Sequence, residues 1–429
     1  MYRDRDVRLL FATRSIRLFA YGFLSIVLAL YLEAVGLGKV QIGLLMTLTL
    51  LGDAGVTLWI TTSADRIGRK KMLVLGAFLM VLSGVVFLLT SDFTLLLIAG
   101  IVGVISPSGN EIGPFLSLEQ ASLSQKIPDG KRTKVFAWYN LAGSFSTAFG
   151  ALAGGWLSQA LVAGGLAPLS AYRAILLGYS LAGGTIALLF LLLSSAVEVR
   201  PAATPASATA HASDSIDAPA SVAAAPIMSM PSRFGLHKSK KTVFKLSGLF
   251  ALDAFAGGFV IQSLIVYWFH LRFGLDTGAL GTLFFGANLL AGISALLASR
   301  IAAKIGLIRT MVFTHLPSNV LLCLVPLMPV PWLAIVVLLL RFSISQMDVP
   351  TRQSYTMAVV APDERSAASG ITTIARSLGA SVSPALSGML LSVAGLMSLP
   401  FLIGGGLKIV YDLLLYRSFR RSGVPDETK

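Results

Sequence analysis

Two long apolar runs, residues 41–63 and 72–91, flank a short and strongly basic stretch at residues 61–71, TTSADRIGRKK. Each run is close to the ~20 residues that an α-helix needs to span a bilayer. A connection this short makes the two helices antiparallel neighbours. Because short basic loops stay on the cytoplasmic side of a membrane, we predict that this turn is cytoplasmic. All other loops can be assigned by counting from it.

The composition is that of a membrane protein. The 429 residues are 55% hydrophobic and 13% charged, whereas soluble domains carry roughly 25% charged residues. The net charge of +14 is compatible with nucleic-acid binding, but most cations lie in short loops beside apolar runs, so we expect no nucleic-acid partner. A lone cysteine, Cys323, excludes an internal disulfide.

Hydropathy predicts an all-α membrane protein with twelve transmembrane helices. Loops on one side carry most of the Lys and Arg residues, whereas loops on the other side hold only Lys39, Arg173 and Arg272. This asymmetry predicts that both termini are cytoplasmic. The predicted spans are residues 12–34, 41–63, 72–91, 94–119, 134–162, 172–195, 246–270, 278–300, 310–328, 332–358, 366–393 and 398–416.

A stretch rich in Ala, Ser and Pro, residues 201–230, separates the first six spans from the last six. It is too poor in aromatic residues to form a packed core, so we expect a flexible linker. We therefore predict an N-terminal six-helix bundle at 1–196, a cytoplasmic linker at 197–245 and a C-terminal six-helix bundle at 246–429.

Short sequence similarities link the two halves in the same order. The stretch DRIG at 65–68 corresponds to AKIG at 303–306, and Ile-Gly at 42–43 corresponds to Leu-Gly at 280–281. Six such similarities in order indicate a duplication. We therefore expect two pseudo-symmetric bundles of six helices around a central cavity.

The basic turn and the duplicated six-helix halves resemble the major facilitator superfamily, over nearly the whole chain apart from the linker and tails. The loop between helices 2 and 3 of that family usually reads G-x-x-x-D-R-x-G-R-R/K, and Thr61 stands here in place of the first glycine. The resemblance implies that the loop holds the cytoplasmic gate shut when the cavity faces outward. Without the resemblance, the turn is only a topology signal. The matching residues are Asp65, Arg66, Gly68, Arg69 and Lys70.

Residues 150–155, GALAGG, resemble the superfamily's antiporter signature, whose core reads G-P-x-x-G-G. Ala151 stands in place of the proline. The resemblance implies export. The alternative is that these small residues only allow two helices to approach closely.

Charged residues inside the predicted spans are the candidates for proton coupling. A charge at the bilayer centre costs about 2.5–3.5 kcal/mol on insertion scales, so such side chains face protein or water. Asp53 lies near the middle of the second span, where a shielded carboxylate can bind and release a proton. The alternative is a structural ion pair with an arginine. The candidates are Asp53, Glu111, Asp253 and Asp348.

Spans 4 and 10 carry matching interruptions. Residues 106–114, SPSGNEIGP, hold two prolines and two glycines, and residues 346–353, QMDVPTRQ, are polar and contain a proline. Interrupted helices at membrane depth are tolerated only where they face protein or a wet cavity. We interpret the two segments as facing walls of a binding site. The substrate-binding candidates are Asn110, Glu111, Tyr139, Asn140, Asp348, Arg352 and Arg376.

Other chemistry has little support in the sequence. His270 and His315 lie near the ends of predicted spans, which favours interfacial positions over proton relays. No phosphate-binding loop, catalytic triad or metal-ligand spacing is present. We therefore expect neither an enzyme nor a metal or cofactor.

Three functional hypotheses remain. The first is a monomeric, proton-coupled exporter of a small amphipathic compound, which works by alternating access in the lipid bilayer of a cell membrane. The second is uptake or exchange of a small anion, because Arg341, Arg352, Arg376 and Lys408 all fall in the second half. The third is a membrane receptor that transports nothing, but two polar interrupted spans argue against it.

Overall fold

The computed structural model describes residues 4–111, 113–198 and 236–419. Within these ranges the chain consists of α-helices, short 3-10 helices and loops. The predicted linker at 201–230 lies outside the described residues, as does most of the 197–245 region. Its flexibility and cytoplasmic location therefore remain predictions.

Each half of the described chain contains eight α-helices. The first half contains α1 (Arg5–Ser25), α2 (Leu28–Ala34), α3 (Lys39–Ile67), α4 (Arg69–Leu89), α5 (Phe93–Val102), α6 (Phe115–Lys126), α7 (Asp129–Ala163) and α8 (Pro168–Leu191). The second half contains α9 (Lys240–Gly258), α10 (Gln262–Phe273), α11 (Thr277–Ile305), α12 (Leu307–Leu324), α13 (Pro331–Ser345), α14 (Asp348–Val359), α15 (Arg365–Ser392) and α16 (Leu399–Phe419).

These helices form the twelve predicted spans. In the described part of the chain, eight helices or helix pairs are long and apolar enough to cross a membrane, and α1 with α2, bent by 45°, makes a ninth. The segments α5 with α6, α7 and α15 complete the twelve. The largest differences from the predicted bounds are that α1 begins at Arg5 and α6 continues to Lys126. The first extension carries three charged residues, Arg5, Asp6 and Arg8, and the second is mostly polar, so hydropathy does not detect either.

Four spans are interrupted, and they correspond between the halves. The predicted breaks in spans 4 and 10 lie at residues 103–114 and 346–347. Spans 1 and 7 are also interrupted, at residues 26–27 and 259–261, which the sequence analysis did not predict. The breaks therefore repeat at equivalent spans, as expected of a duplicated chain.

Two pairs of glycines bring the halves into close contact. The helices α3 and α15 cross at Gly43 and Gly388, and the equivalent helices α11 and α7 cross at Gly281 and Gly155. A Cβ atom on Gly155 would lie 2.7 Å from the Cα atom of Gly281. A larger residue at either crossing would separate the helices.

The two ends of the bundle differ in how the halves meet. We call the end with the α3–α4 turn at Gly68 and the α11–α12 turn at Gly306 the basic end, and the opposite end the far end. Among the described residues, every hydrogen bond between the halves lies away from the basic end. The halves are therefore joined toward the far end. The pairs are Ser25 with Gln262 and Ser263, Glu33 with Tyr267, Thr47 with Val382 and Ala385, Pro107 with Ser263, Trp156 with Thr282, and Gln159 with Thr277.

Candidate functional site

Arg17 of α1 is the centre of a buried ion-pair cluster in the first half. Its side chain is 0% exposed, and its two terminal nitrogens donate to Glu119 at 2.9 and 2.6 Å. Its Nε donates to Glu111 at 2.8 Å, and Nη1 of Arg14 lies 2.8 Å from the other oxygen of Glu111. Two cations therefore balance two carboxylates, which offsets part of the cost of burying them.

Sequence reasoning missed Glu119, which is as fully buried as Arg17. It is fully buried in α6 and also accepts hydrogen bonds from Thr13 Oγ1, at 3.0 Å, and from the Tyr139 hydroxyl. The predicted span 4 ended at residue 119, and Glu119 was not among the acidic candidates. The polar residues that follow it gave no signal of burial.

The predicted substrate-binding pair Tyr139 and Asn140 divides between two environments. Tyr139 is fully buried, and the guanidinium carbon of Arg14 lies 4.3 Å from its ring centre. Asn140 is exposed, and its Oδ1 accepts from Nη2 of Arg14 at 3.2 Å. In this conformation only Asn140 of the pair is open to a bound molecule.

Asp53 of α3 is buried and lacks an ion pair among the described residues. Its Oδ1 is fully enclosed and has no hydrogen-bond partner in the described part of the protein. Gly113 lies beside this carboxylate, since a Cβ atom on it would be 3.6 Å from Oδ1 of Asp53, and Glu111 is close enough to act on it electrostatically. Asp53 therefore borders the interrupted segment of span 4 and differs from the paired acids around Arg17.

That segment, residues 103–114, is an irregular loop at the depth of the bundle. Gly109 and Gly113 have φ angles of +68° and +82°, which favour glycine. Ser106 Oγ donates to the backbone oxygen of Asn110 at 2.8 Å, and the Asn110 side chain is exposed. The loop thus turns a polar side chain outward while Asp53 lies against its backbone.

Asp253 of α9 is the centre of the charge cluster in the second half. Its Oδ2 accepts from Nη1 of Arg352 at 3.2 Å and from Nη1 of Arg376 at 3.1 Å, and its Oδ1 accepts from Nζ of Lys408. Arg352 also donates to Asp348 at 2.8 Å, one helical turn away, as their spacing of four residues allows. One carboxylate therefore holds three cations.

Arg376 is the most exposed cation of this cluster. Its side chain is 34% exposed, whereas those of Arg352 and Lys408 are 8% and 10% exposed. The sequence analysis named Arg376 as a substrate-binding candidate. In this conformation it bonds Asp253 of α9.

His315 of α12 is buried in the same cluster, whereas the sequence analysis placed it at the membrane interface. Its Nδ1 lies 2.8 Å from Oδ1 of Asp412, and its Nε2 lies 3.9 Å from Oδ1 of Asp253. Asn319 donates to the other oxygen of Asp412 at 2.9 Å. The interfacial prediction was wrong because α12 begins at Leu307, which places His315 two turns inside the helix.

The basic turn of the first half is shorter than predicted. The helices α3 and α4 are separated by Gly68 alone, whose φ is +117°. Asp65 pairs with Nε of Arg69 at 3.1 Å and is 69% exposed. Glu198, rather than Asp65, accepts from the first backbone N–H groups of α4, those of Arg69 and Lys70, at 2.6 and 3.2 Å. Sequence reasoning missed Glu198 because the sequence does not show which helix end it reaches.

Glu364 has a similar role at the basic end of the second half. It is fully buried and accepts from the backbone N–H groups of His237, Lys238 and Ser239 at the start of α9. Burial alone would raise the pKa of Glu364. These hydrogen bonds lower it by more than burial raises it, so the pKa falls to about 2. The carboxylate is therefore charged at neutral pH and fixes the start of α9.

No three His, Cys, Asp or Glu side chains among the described residues are arranged to hold a metal ion. The fold and the charge clusters define a polytopic helical membrane protein with ionisable side chains in its interior. Such residues mark proton relays and substrate or ion pathways in membrane proteins.

Two stretches of the chain, residues 10–384 and 273–429, match the sequence profile of the Major Facilitator Superfamily. The uncharacterized membrane protein YJR124C of Saccharomyces cerevisiae is 34% identical over 422 residues, which cover 96% of this chain and 93% of that protein. The chain therefore belongs to the major facilitator superfamily, as the basic turn and the duplicated halves predicted.

Solved transporters share the fold. A mutant of the nucleoside transporter NupG is 12% identical, with a TM-score of 0.73. The matched region covers 96% of this chain and 99% of the NupG chain. An inward-facing bacterial homolog of the human lysosomal transporter Spinster is 14% identical, with a TM-score of 0.71 and 96% coverage of both chains. A D-xylose-proton symporter is 14% identical, with a TM-score of 0.69 and 99% coverage of both. Identities this low show a shared fold, and with the family they support secondary transport of a small molecule across a membrane.

Proposed function

We propose that this protein is a secondary active transporter that couples export of a small organic compound to protons by alternating access. The observation that carries the proposal is the enclosed carboxylate of Asp53, which has no ion pair among the described residues and lies beside the interrupted span 4. A buried carboxylate without a cation is costly in its charged form, and binding a proton removes that cost. Asp53 is therefore the proposed proton site.

The proton is coupled to substrate through the 103–114 loop. Gly113 lies beside Asp53 on one side of this loop, and Asn110 is exposed on the other. A change in the charge of Asp53 alters its interaction with the adjacent backbone at Gly113 and hence the position of the loop. The new position of the loop would change how a substrate binds at Asn110 and Asn140.

Export is the proposed direction, and the resemblance of residues 150–155 to the antiporter signature supports it. Gly150 and Gly154 of α7 pack against the backbone oxygens of Phe19 and Phe23 in α1, where a Cβ atom would lie 2.0 and 2.2 Å away. This close contact is also what small-residue packing alone would produce. The direction must therefore be measured.

Transport of an anion is the second candidate, and the exposure of Arg376 favours it. This cation is the one member of the Asp253 ion pairs with a third of its side chain accessible. A carboxylate or phosphate group could replace Asp253 as its partner, because guanidinium groups bind such anions in a bidentate geometry.

The proposed location is a cell membrane, with a monomeric protein, both termini and the 197–245 linker in the cytoplasm. The cations at the basic end support this orientation, since short basic loops remain inside. In this orientation the conformation described is closed toward the outside. Protease added to the inner face of vesicles should cleave within 201–241, and cleavage from the outer face alone would contradict the orientation.

The test is flux into liposomes that contain the purified protein, with cationic, neutral and anionic compounds offered in parallel. An exporter that exchanges substrate for protons should accumulate its substrate inside when the interior is acidic. A symporter should do so when the exterior is acidic. Liposomes with a protonophore are the control. A transported compound whose flux ignores both gradients would contradict proton coupling.

A further inference from the structure

The buried cluster around Asp253 holds a histidine between two carboxylates. His315 is 5% exposed, with Nδ1 in hydrogen-bond contact with Asp412 and Nε2 3.9 Å from Asp253. Asp412 can only accept, so the neutral imidazole carries its hydrogen on Nδ1 and leaves the Nε2 lone pair toward Asp253. A second proton would enter at Nε2 and face the carboxylate that already holds three cations.

The other groups around His315 come from five helices. The carboxylates are Asp253 on α9, Asp348 on α14 and Asp412 on α16. Arg352 on α14, Arg376 on α15 and Lys408 on α16 pair with these acids, and the ring of Tyr411 packs edge-on against the imidazole. Arg341 on α13 acts electrostatically on Asp253 and Asp348. The charged residues of α11, Arg300 and Lys304, are exposed.

The charge balance of this cluster limits what a proton can do. The three acids are matched by the three paired cations, and Arg341 is an additional cation that is in no ion pair among the described residues. A proton on His315 adds one more positive charge in a buried site. An anionic group is therefore needed to keep the charges balanced.

We propose that His315 is a proton-binding site whose protonation releases Arg376 from Asp253 to bind an anionic group on the transported compound. The added Nε2–H lies near Oδ1 of Asp253, which Lys408 already contacts, so the imidazolium competes with the three cations for the charge of one carboxylate and weakens one of their bonds. Arg376 is the cation that leaves, because its side chain is 34% exposed and can be solvated, whereas Arg352 is 8% exposed.

The proton and the anion then bind as a pair. The proton forms a bond to the Nε2 lone pair of His315, and the anion replaces Asp253 as the acceptor for the Arg376 guanidinium. Loss of the proton restores the bond between Arg376 and Asp253 and expels the anion. The inference rests on the second candidate function, transport of an anion, because a proton and an anion that bind together move in the same direction and are not exchanged for each other. It adds that the anionic group is a carboxylate or phosphate.

The first test needs neither a substrate nor flux. Purified full-length protein is treated with phenylglyoxal, which modifies accessible arginines, at about pH 8 and about pH 6, the interval in which histidine changes charge. Peptide mass spectrometry gives the modification of Arg376 relative to the exposed Arg309, which cancels the pH dependence of the reagent. We expect the Arg376/Arg309 ratio to rise several-fold at the lower pH.

His315→Gln should remove this rise, and His270→Gln, a substitution of the histidine at the end of α10, should retain it. A ratio that is independent of pH in the wild-type protein would overturn the proposal, even if a variant fails to fold. A rise that persists in His315→Gln would assign the effect to another group and would overturn it as well.

Benzoate supplies the second test as a simple carboxylate probe. It should protect Arg376 from phenylglyoxal at the lower pH in the wild-type protein and not in His315→Gln. Protection that is equal at both pH values would contradict the coupling of proton and anion. Because labelling is independent of Asp53 and of flux, its failure is separable from failure of the proposed transport function.

Discussion

The two halves of the protein share a fold but bury their charges differently. In the first half, Arg17 joins Glu111 and Glu119 in a closed cluster, and Asp53 stands apart without an ion pair among the described residues. In the second half, Asp253 alone holds three cations, one of them a third exposed. The first half therefore separates its ion pairs from a carboxylate that has none among the described residues, whereas the second half joins its charged groups around one carboxylate.

This difference indicates that the charged residues of the duplicated halves have different roles. A closed cluster of paired charges fixes helix positions, because separating any member leaves a buried charge without a partner. A network with one solvent-accessible member can exchange partners, because that member can be hydrated or can bind an external ion.

Asp253→Asn should give the largest loss of stability. It removes the shared acceptor of Arg352, Arg376 and Lys408, and breaking a buried ion pair by removing one partner costs about 3–5 kcal/mol. The apparent Tm of the purified protein in detergent measures the loss. The additional substitution Lys408→Met should recover part of it by restoring the charge balance.

Asp276→Asn is the matched control for this substitution. Asp276 is exposed and caps α11 through the backbone N–H of Ala279, and asparagine caps helices about as well as aspartate. Its Tm should stay close to that of the wild-type protein. An Asp253→Asn protein as stable as this control would contradict the description of the second-half cluster.

Glu119→Gln should destabilise the first half by an amount near the lower end of about 3–5 kcal/mol. The substitution leaves Arg17, which is 0% exposed, with Glu111 alone as a charged partner. Glu111→Gln should cost less, because the Glu111 side chain is 12% exposed and water can reach it. Equal Tm values for the two variants would show that Glu119 contributes no more to the stability of the cluster than Glu111 does.

Asp65→Asn should barely change stability yet slow transport. Asp65 is 69% exposed, and exposed ion pairs such as its pair with Arg69 contribute about 0–1 kcal/mol. The family resemblance assigns this turn to the gate, so the initial rate of flux should fall while Tm is maintained. Asp363→Asn, with a similarly exposed carboxylate, is the control. Normal flux in Asp65→Asn would leave the turn as a topology signal.

Glu364→Gln should have the smallest and most local effect. The hydrogen bonds of Glu364 hold its pKa at about 2, so its contribution to stability is complete at neutral pH and is lost only as the pH falls toward that value. In the variant, backbone hydrogen exchange at His237, Lys238 and Ser239 should accelerate at neutral pH. Unchanged exchange at these three amides would show that Glu364 does not fix the start of α9.

The fold could be predicted from the sequence because long apolar runs and basic turns are local signals. The interruptions of spans 4 and 10 were visible as proline and glycine in polar surroundings. The interruption at residues 26–27 was not, since Ile26 and Val27 are apolar and no helix breaker is present. At this bend the backbone oxygen of Ser25 accepts from Oγ of Ser263 in the other half, a contact that the sequence does not show.

The candidate site was predicted less completely for the same reason. The pair Asp348 and Arg352 followed from their spacing on one helix. Glu119, His315 and Asp412 were missed because their burial depends on helices distant in sequence. Asp253 was a candidate, but its role as the acceptor for cations from α14, α15 and α16 required the tertiary structure.

The most direct test of the central claim, that Asp53 carries the coupled proton, compares two kinds of flux in the same liposomes. One is accumulation of a transported compound driven by a pH gradient, and the other is exchange of labelled for unlabelled compound without a gradient. Asp53→Asn should lose the first and retain the second, because an amide keeps the shape of the side chain but cannot release a proton. Asp92→Asn, at the exposed N-terminus of α5, should retain both. Gradient-driven accumulation by Asp53→Asn equal to that of the wild-type protein would contradict the account.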